Sequence, residues 1–219
     1  SPPVDFLEVA PENWIPMGGR LRREFRAFTE RFPFVSHGRS NWPEPHPWVD
    51  FDNEAYAYGA VHRLASKGCR KVSIVLPESA LTYTEHLKAG VARAAAEAGI
   101  AHEFAADVNL GSATDAIRNY VIKRSKRPDG PDGWVGASEL SALAVISGLN
   151  EAGRQVGKDA HVVTKQSTQL FAQFQPAAET VFEDFTGAGR ELGALLLRRI
   201  AGETEELHAL FEPEFGWKA

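Results

Sequence analysis

From residue 50 onward, apolar runs of strand length alternate with helical stretches, and almost every helical stretch is closed by a glycine. Strands separated by helices of about ten or more residues cannot pair as hairpins. Each crossover returns the chain parallel to the previous strand, and helices then cover both faces of the sheet. Asn53 is a candidate cap for a helix running to about Lys67, with Ala57, Val61, Leu64 and Ala65 on one face and Gly68 as its stop. "KVSIVL" (71–76) reads as a buried strand, 83–98 as a helix ended by Gly99, and "AHEFAA" (101–106) as a short strand. A helix near 113–125, a polar turn "SKRPDGPDG", a strand "WVGA" (134–137) and a helix 139–152 ended by Gly153 follow. The last elements are a strand "HVVT" (161–164) and a helix 185–201 ended by Gly202. The fold class is α/β, with strands 71–76 and 134–137 in one parallel sheet flanked by helices.

The first fifty residues fit the same grammar once: strand 4–9, a turn containing "PMGG", helix 20–31 and strand 33–36. One such unit is too little for an independent lobe. Leu21, Phe25 and Phe28 give the basic helix an apolar stripe, so its arginines read as a solvated face rather than a phosphate site.

A chain of 219 residues can bury a sizeable core without disulfides, and the single Cys69 cannot form an internal bridge. The N-terminus lacks the basic, apolar, small-residue order of a signal peptide, which points to a cytoplasmic protein. No apolar run reaches the ~20 residues of a membrane helix. A net charge of −5 disfavours a bare nucleic-acid-binding domain, because such domains displace counterions with basic residues. Nucleotide-loop, dinucleotide and serine-hydrolase motifs are absent. Cys69, in "KGCRK", has flanking basic residues that could lower its pKa but no paired base, so it reads as inert.

Five ordered blocks resemble the effector-binding core of the lactose/galactose repressor family of bacterial transcriptional regulators: "FPFVSHGRS", "WVDFDNEAYAYGAVHRLASKGCRKVSIV", "HLKAGVARAAAEAGI", "GWVGASELSALAVISGLNEAGRQVGKDAHVVT" and "AETVFEDFTGAGRELGALLLRRIAGE". The resemblance covers residues 32–219 and implies a periplasmic-binding-protein-like architecture, with two flavodoxin-like lobes joined by three crossing strands around a ligand cleft. It makes 1–50 part of a truncated first lobe, 51–164 the second lobe, and 165–219 a return segment with the C-terminal helix. It implies a non-enzymatic protein with no cofactor and no metal, whose partners are a small-molecule effector of the sugar class and a second copy in a homodimer. DNA would be reached only through a headpiece absent from this chain.

Residue by residue, the family's cleft arginine falls on Leu87, flanked by His86 and Lys88; its Asn-Asp pair falls on Ser138 and Glu139, and its later aspartate on Gln166. These departures alter two of the family's commonest ligand contacts, though Glu139 and Gln166 can still grip hydroxyls. Glu139 reads equally as a charge at a helix start. Phe171, Phe174 and Trp14 are candidate aromatic plates for a sugar ring.

A second resemblance competes at the N-terminus. "PPVDFLEVAPENWIPMGGRLRREFRAFTERFP" is similar to the start of a TIM-barrel family of multinuclear-iron oxidative enzymes, in which a His-Gly dipeptide follows the next strand, as His37-Gly38 does here. It implies metal ligands near Glu8, Glu12 and His37. A metal site needs several convergent N and O donors, and the later strand ends, "LPES", "GASE" and "VVTKQ", offer only Glu78 and Glu139. The alternatives are therefore a sugar-responsive effector core and a barrel-derived fragment or engineered chimera.

Overall fold

The computed structural model describes residues 19–40, 45–78, 81–175, 177–204 and 207–217; the expected strand 4–9 lies outside them. In chain order the elements are α1 (Gly19–Arg31), β1 (Ser36–His37), β2 (Trp48–Phe51), α2 (Asn53–Ser66), β3 (Lys71–Ile74), α3 (Thr82–Ala98), β4 (Ala101–Phe104), α4 (Thr114–Ser125), β5 (Gly133–Gly136), α5 (Glu139–Glu151), β6 (His161–Gln166), α6 (Leu170–Phe174), β7 (Glu179–Phe182), α7 (Phe185–Ile200) and β8 (His208–Phe211). They build two sheets, β4-β3-β5-β6-β7 and β1-β2-β8, and every pairing between strands is parallel. The expected partnership of the strands at 71 and 134 is direct: Ser73 lies opposite Trp134 and Ile74 opposite Val135.

Alternation along the central strands explains why the larger sheet is covered twice. Val72, Ile74, Val135 and Val163 join the core under α2 and α3, whereas Val75, Trp134 and Val162 join the core under α4 and α5. Successive strand side chains point to opposite faces, so apolar residues at both parities require helices on both. The edge strand is pinned electrostatically: Arg124 on α4 grips Glu103 on β4 through two bonds of 2.8 and 2.7 Å, and Lys71 on β3 reaches the same carboxylate at 2.6 Å. At the other edge Arg63 on α2 holds Glu179 on β7 at 2.5 and 2.7 Å.

Helix ends fall close to the expected glycines. Gly99 takes φ 67°, a left-handed conformation that ends α3 at low steric cost only for a residue without Cβ. The start of α2 differs by one residue: Asp52, not Asn53, caps it, accepting from the Ala55 amide at 2.9 Å. The expected strand 33–36 shrinks to Ser36–His37, where pairing starts with the Ser36 amide donating to Pro47 O at 3.0 Å. Pro33 has no amide to extend that ladder.

The smaller sheet packs against α7 around Val49, Ala188, Leu195 and Leu207. The chain passes between the two lobes after β2, after β7 and after β8. Beyond β8, Glu214 bridges antiparallel to Phe182, and Arg63 lies over the Trp217 ring, its guanidinium carbon 5.6 Å from the centroid.

α2 and α3 approach closely because Gly90 has no side chain: a Cβ there would stand 2.3 Å from Glu54 O and 2.9 Å from Ala57 Cβ. In an open helix Gly→Ala stabilises by about 1 kcal/mol. Gly90→Ala is instead expected to lower stability in urea denaturation by about 1–3 kcal/mol, because backbone on α2 must shift.

Candidate functional site

A cleft of about 510 Å³ opens between the two sheets at the carboxyl ends of their strands. This volume lies within the range of small-molecule sites, and strand carboxyl ends are where open parallel sheets place ligands. The smaller lobe contributes His37, Gly38 and Asp50, the larger lobe Tyr83, Ala137 to Leu140 and Lys165 to Ser167, and the crossing segments Asn53, Glu183 and Phe185.

β6 runs two residues beyond the expected "HVVT" and thereby carries Lys165 and Gln166 to the cleft. Lys165 is only 5% exposed. Its ammonium donates to Asn53 Oδ1 at 2.8 Å and meets both Glu183 oxygens at 3.0 and 3.2 Å. The rings of Tyr83, Phe51 and Tyr56 surround it, with centroids at 4.6, 5.2 and 5.8 Å. Burial opposes the charged form, but the Tyr83 hydroxyl and the Glu183 carboxylate outweigh it and raise the lysine pKa. At the lobe junction the ammonium faces the Glu183 carboxylate and the Asn53 amide oxygen.

Arg39 makes a second junction from the other side. Its guanidinium bonds Asp50 on β2 at 2.8 Å, comes within 3.9 Å of the Asp52 cap of α2, and lies 3.5 Å from His86 Nδ1 on α3. Its carbonyl accepts from the Thr82 hydroxyl. Burial and the adjacent Arg39 charge lower the His86 pKa.

Of the residues singled out from sequence, His37, Ser138, Glu139 and Gln166 line the cleft. Ser138 caps α5 in a reciprocal capping box with Ser141. The Glu139 carboxylate accepts from the amides and hydroxyls of both Ser167 and Thr168 at 3.2–3.3 Å, so it orders the loop after β6 rather than merely complementing its own helix. Gln166 Oε1 is buried without a hydrogen-bond partner among the described residues. An acceptor in that position calls for a donor that the described residues do not supply.

Three others lie elsewhere. His86 sits behind the cleft wall against Arg39, and Lys88 turns along α3 to Glu85 at 3.0 Å. Phe171 is 5% exposed within the core under α4 and α5, the one described side chain of α6 that joins that layer. Of the other plate candidates, Phe174 is exposed but does not line the cleft, and Trp14 lies outside the described residues. Leu87 is fully buried core. The apolar surfaces that do face the cleft are Leu140, 61% exposed, and Phe185, 51% exposed; the His37 ring meets the latter edge-on at 5.9 Å.

Lys165, Asp50, Glu183 and Phe185 were missed from sequence. A lysine immediately after a buried apolar run was the available sign for Lys165, since an ammonium there must find partners in the fold. Glu8 and Glu12 lie outside the described residues, and among the described residues no group of three or more His, Cys, Asp and Glu could hold a metal ion. Cys69 lies at the opposite, amino end of β3. Burial and the nearby Asp132 push its thiol up to about 12, contrary to any activation by the flanking basic residues.

Residues 61–216 match the family of periplasmic binding protein-like domains. Residues 1–40 match the family of RiPP precursor modification enzymes MbnB/TglH/ChrH. The HTH-type transcriptional regulator CelR of Thermobifida fusca is 30% identical over 181 residues, 80% of this chain and 52% of that protein. A UPF0276 protein of Alcanivorax borkumensis is 66% identical over 55 residues, 24% of this chain and 17% of that protein. The solved complex of the transcriptional regulator CelR with cellobiose superposes with a TM-score of 0.71 at 24% identity, covering 83% of this chain and 57% of that one; this likeness concerns the fold. The chain thus spans about half the length of the curated regulator it matches.

Breaking the Lys165 knot leaves Glu183 and Asn53 unpaired at a buried junction. Lys165→Met is therefore expected to cost about 3–5 kcal/mol of stability in a denaturant titration. A loss below about 1 kcal/mol would show that the ammonium does not tie the lobes together.

Proposed function

The chain belongs to the periplasmic binding protein-like domain family, and from that premise we propose that it is the effector-binding core of a sugar-responsive bacterial transcriptional regulator of the lactose/galactose repressor type. The observation that carries the reading is the cleft between the lobes, lined by Ser138, Glu139 and Gln166 together with the exposed apolar side chains of Leu140 and Phe185. Sugars present hydroxyls at their edges and C–H surfaces on their faces, so a site for them combines polar groups with apolar plates. The resemblance to CelR, a regulator solved in complex with cellobiose, supports a sugar as the ligand.

The protein acts in this reading by binding rather than by catalysis, in the cytoplasm. Ligand drawn between the lobes is held by Ser138, Glu139 and Gln166 from the larger lobe and reaches His37 and Asp50 on the smaller one, so that occupancy favours the closed arrangement of the two sheets. A ligand shifts such an equilibrium only by its differential affinity for the two states, which contacts from both lobes supply. DNA is contacted through a headpiece of the helix-turn-helix type outside this chain. The N-terminal segment that resembles the barrel enzymes contributes strand β1 to the smaller sheet.

A thermal-shift screen against mono- and disaccharides tests the reading directly. For the sugar that raises the melting temperature, Gln166→Ala is expected to raise Kd about five- to hundred-fold, or 1–3 kcal/mol, with little change in stability. Glu139→Ala is expected to lower both affinity and stability, since it also releases Ser167 and Thr168. Unchanged affinity in both variants would remove the cleft from the function.

Self-association is the second part of the proposal: Leu197 and Ile200 leave an exposed apolar strip on α7, and a second copy is its occupant. Sedimentation at high micromolar concentration should give a dimer, and Leu197→Glu should return it to monomer.

A further inference from the structure

We propose that Arg39 and the start of α3 form a proton-released latch between the lobes, which closes on a neutral His86 and lets go when that imidazole takes up a proton. The inference concerns how the lobes part and goes beyond the sugar-effector reading, since it holds for any ligand of the cleft.

Arg39 follows β1 in the smaller lobe, and its Nε donates to Asp50 Oδ2 on β2 at 2.8 Å. From that anchor the guanidinium reaches α3 of the larger lobe, where its Nη2 lies 3.5 Å from His86 Nδ1. A guanidinium only donates, so Nδ1 must be the acceptor and the ring must be neutral for the bond to exist. The backbone of the same residue makes a second link, its carbonyl accepting from the hydroxyl of Thr82, the first residue of α3. Side chain and main chain of residue 39 thus both hold the first turns of a helix that belongs to the other lobe.

A proton on His86 sets two cations 3.5 Å apart. Three carboxylates act on the ring in the opposite sense: Asp50 on β2, Asp52 at the cap of α2 and Glu54 in the first turn of α2. Each is already engaged. Asp50 holds Arg39 and accepts from the Phe51 amide, Asp52 accepts from the Ala55 amide, and Glu54 pairs with Arg93. On α3 itself Glu85 and Lys88 pair with each other at 3.0 Å. Burial and Arg39 outweigh the carboxylates, so the latched ring holds a proton less readily than an ordinary histidine. Parting the lobes takes Arg39 away from the ring, while its bond to Asp50, made within the smaller lobe, survives. Protons therefore favour the parted state: the latch is intact above the ordinary histidine value of 6.5 and is lost as pH falls below it.

Single-molecule energy transfer on the ligand-free full chain tests this, with dyes on Ala116→Cys in the first turn of α4 and Arg190→Cys on α7, and with Cys69→Ala to leave only those two thiols. From about pH 7.5 to about pH 5.5 the aspartates stay ionised, and the ratio of parted to latched molecules should rise at least about threefold. His86→Gln keeps a neutral acceptor for Arg39 and should hold that ratio constant over the range. His86→Lys is charged throughout and should be parted already at the upper pH. The other histidines titrate alike in the parent and in His86→Gln, so a pH response that survives in His86→Gln overturns the proposal, as does an unchanging ratio in the parent. A His86 ring that titrates at or above 6.5 in an NMR titration overturns it as well. If His86→Lys does not fold, the ring titration and His86→Gln decide without it.

Discussion

The ammonium of Lys165 sits where the two sheets meet, and much of the arrangement around the cleft follows from its need for partners. A buried charge without them is untenable in a folded protein, so the first helical residue of α2, the segment after β7 and three aromatic rings converge on it. Those partners belong to two of the three crossings between the lobes. One charge on the last turn of a central strand therefore ties together the start of α2, the approach to α7 and the floor of the cleft. Tyr56 extends the same knot, its hydroxyl donating to Gly136 O at 2.7 Å and so fixing α2 against the end of β5.

Neutralising charges internally shapes what the cleft offers a ligand. Arg39 with Asp50 and Lys165 with Glu183 give two ion pairs beside a space whose other polar lining includes the hydroxyls of Ser138, Ser167 and Tyr83, the Glu139 carboxylate, the His37 imidazole and the amides of Asn53 and Gln166. Such pairs contribute little net stability over apolar replacements, but they set geometry and the local field. Leu87 stands where the family's cleft arginine falls and is buried core, while Arg39 brings a guanidinium to the junction from the smaller lobe.

The elements of the larger lobe could be read almost directly. Glycines at 68, 99, 153 and 202 close helices, and all four take positive φ. The short strands β2, β7 and β8 escaped because "WVDF", "ETVF" and "HALF" are four-residue runs whose pairing is set by distant partners rather than by local pattern. Ser138, Glu139 and Gln166 were legible as cleft residues because they follow strand ends, where a parallel sheet opens its ligand site. His86, Lys88 and Phe171 were misplaced. A helix shows a different face with every residue, and no sequence neighbour states which face a partner helix or loop will cover.

By itself the sequence determined the alternation of strand and helix, hence the parallel pairing, the double covering of the larger sheet and the side on which a cleft must open. These follow from periodicity and from glycine chemistry, which act within a few residues. Only the tertiary structure decided which charged and polar groups partner one another. Lys165 meets Asn53 across 112 positions and Arg63 meets Glu179 across 116, pairings fixed by strand order and lobe crossings rather than by any local rule. It also decided that Phe185 and Leu140, rather than Phe171, face the cleft, because helix rotation about its axis is set by the layer the helix packs upon and not by its own residues.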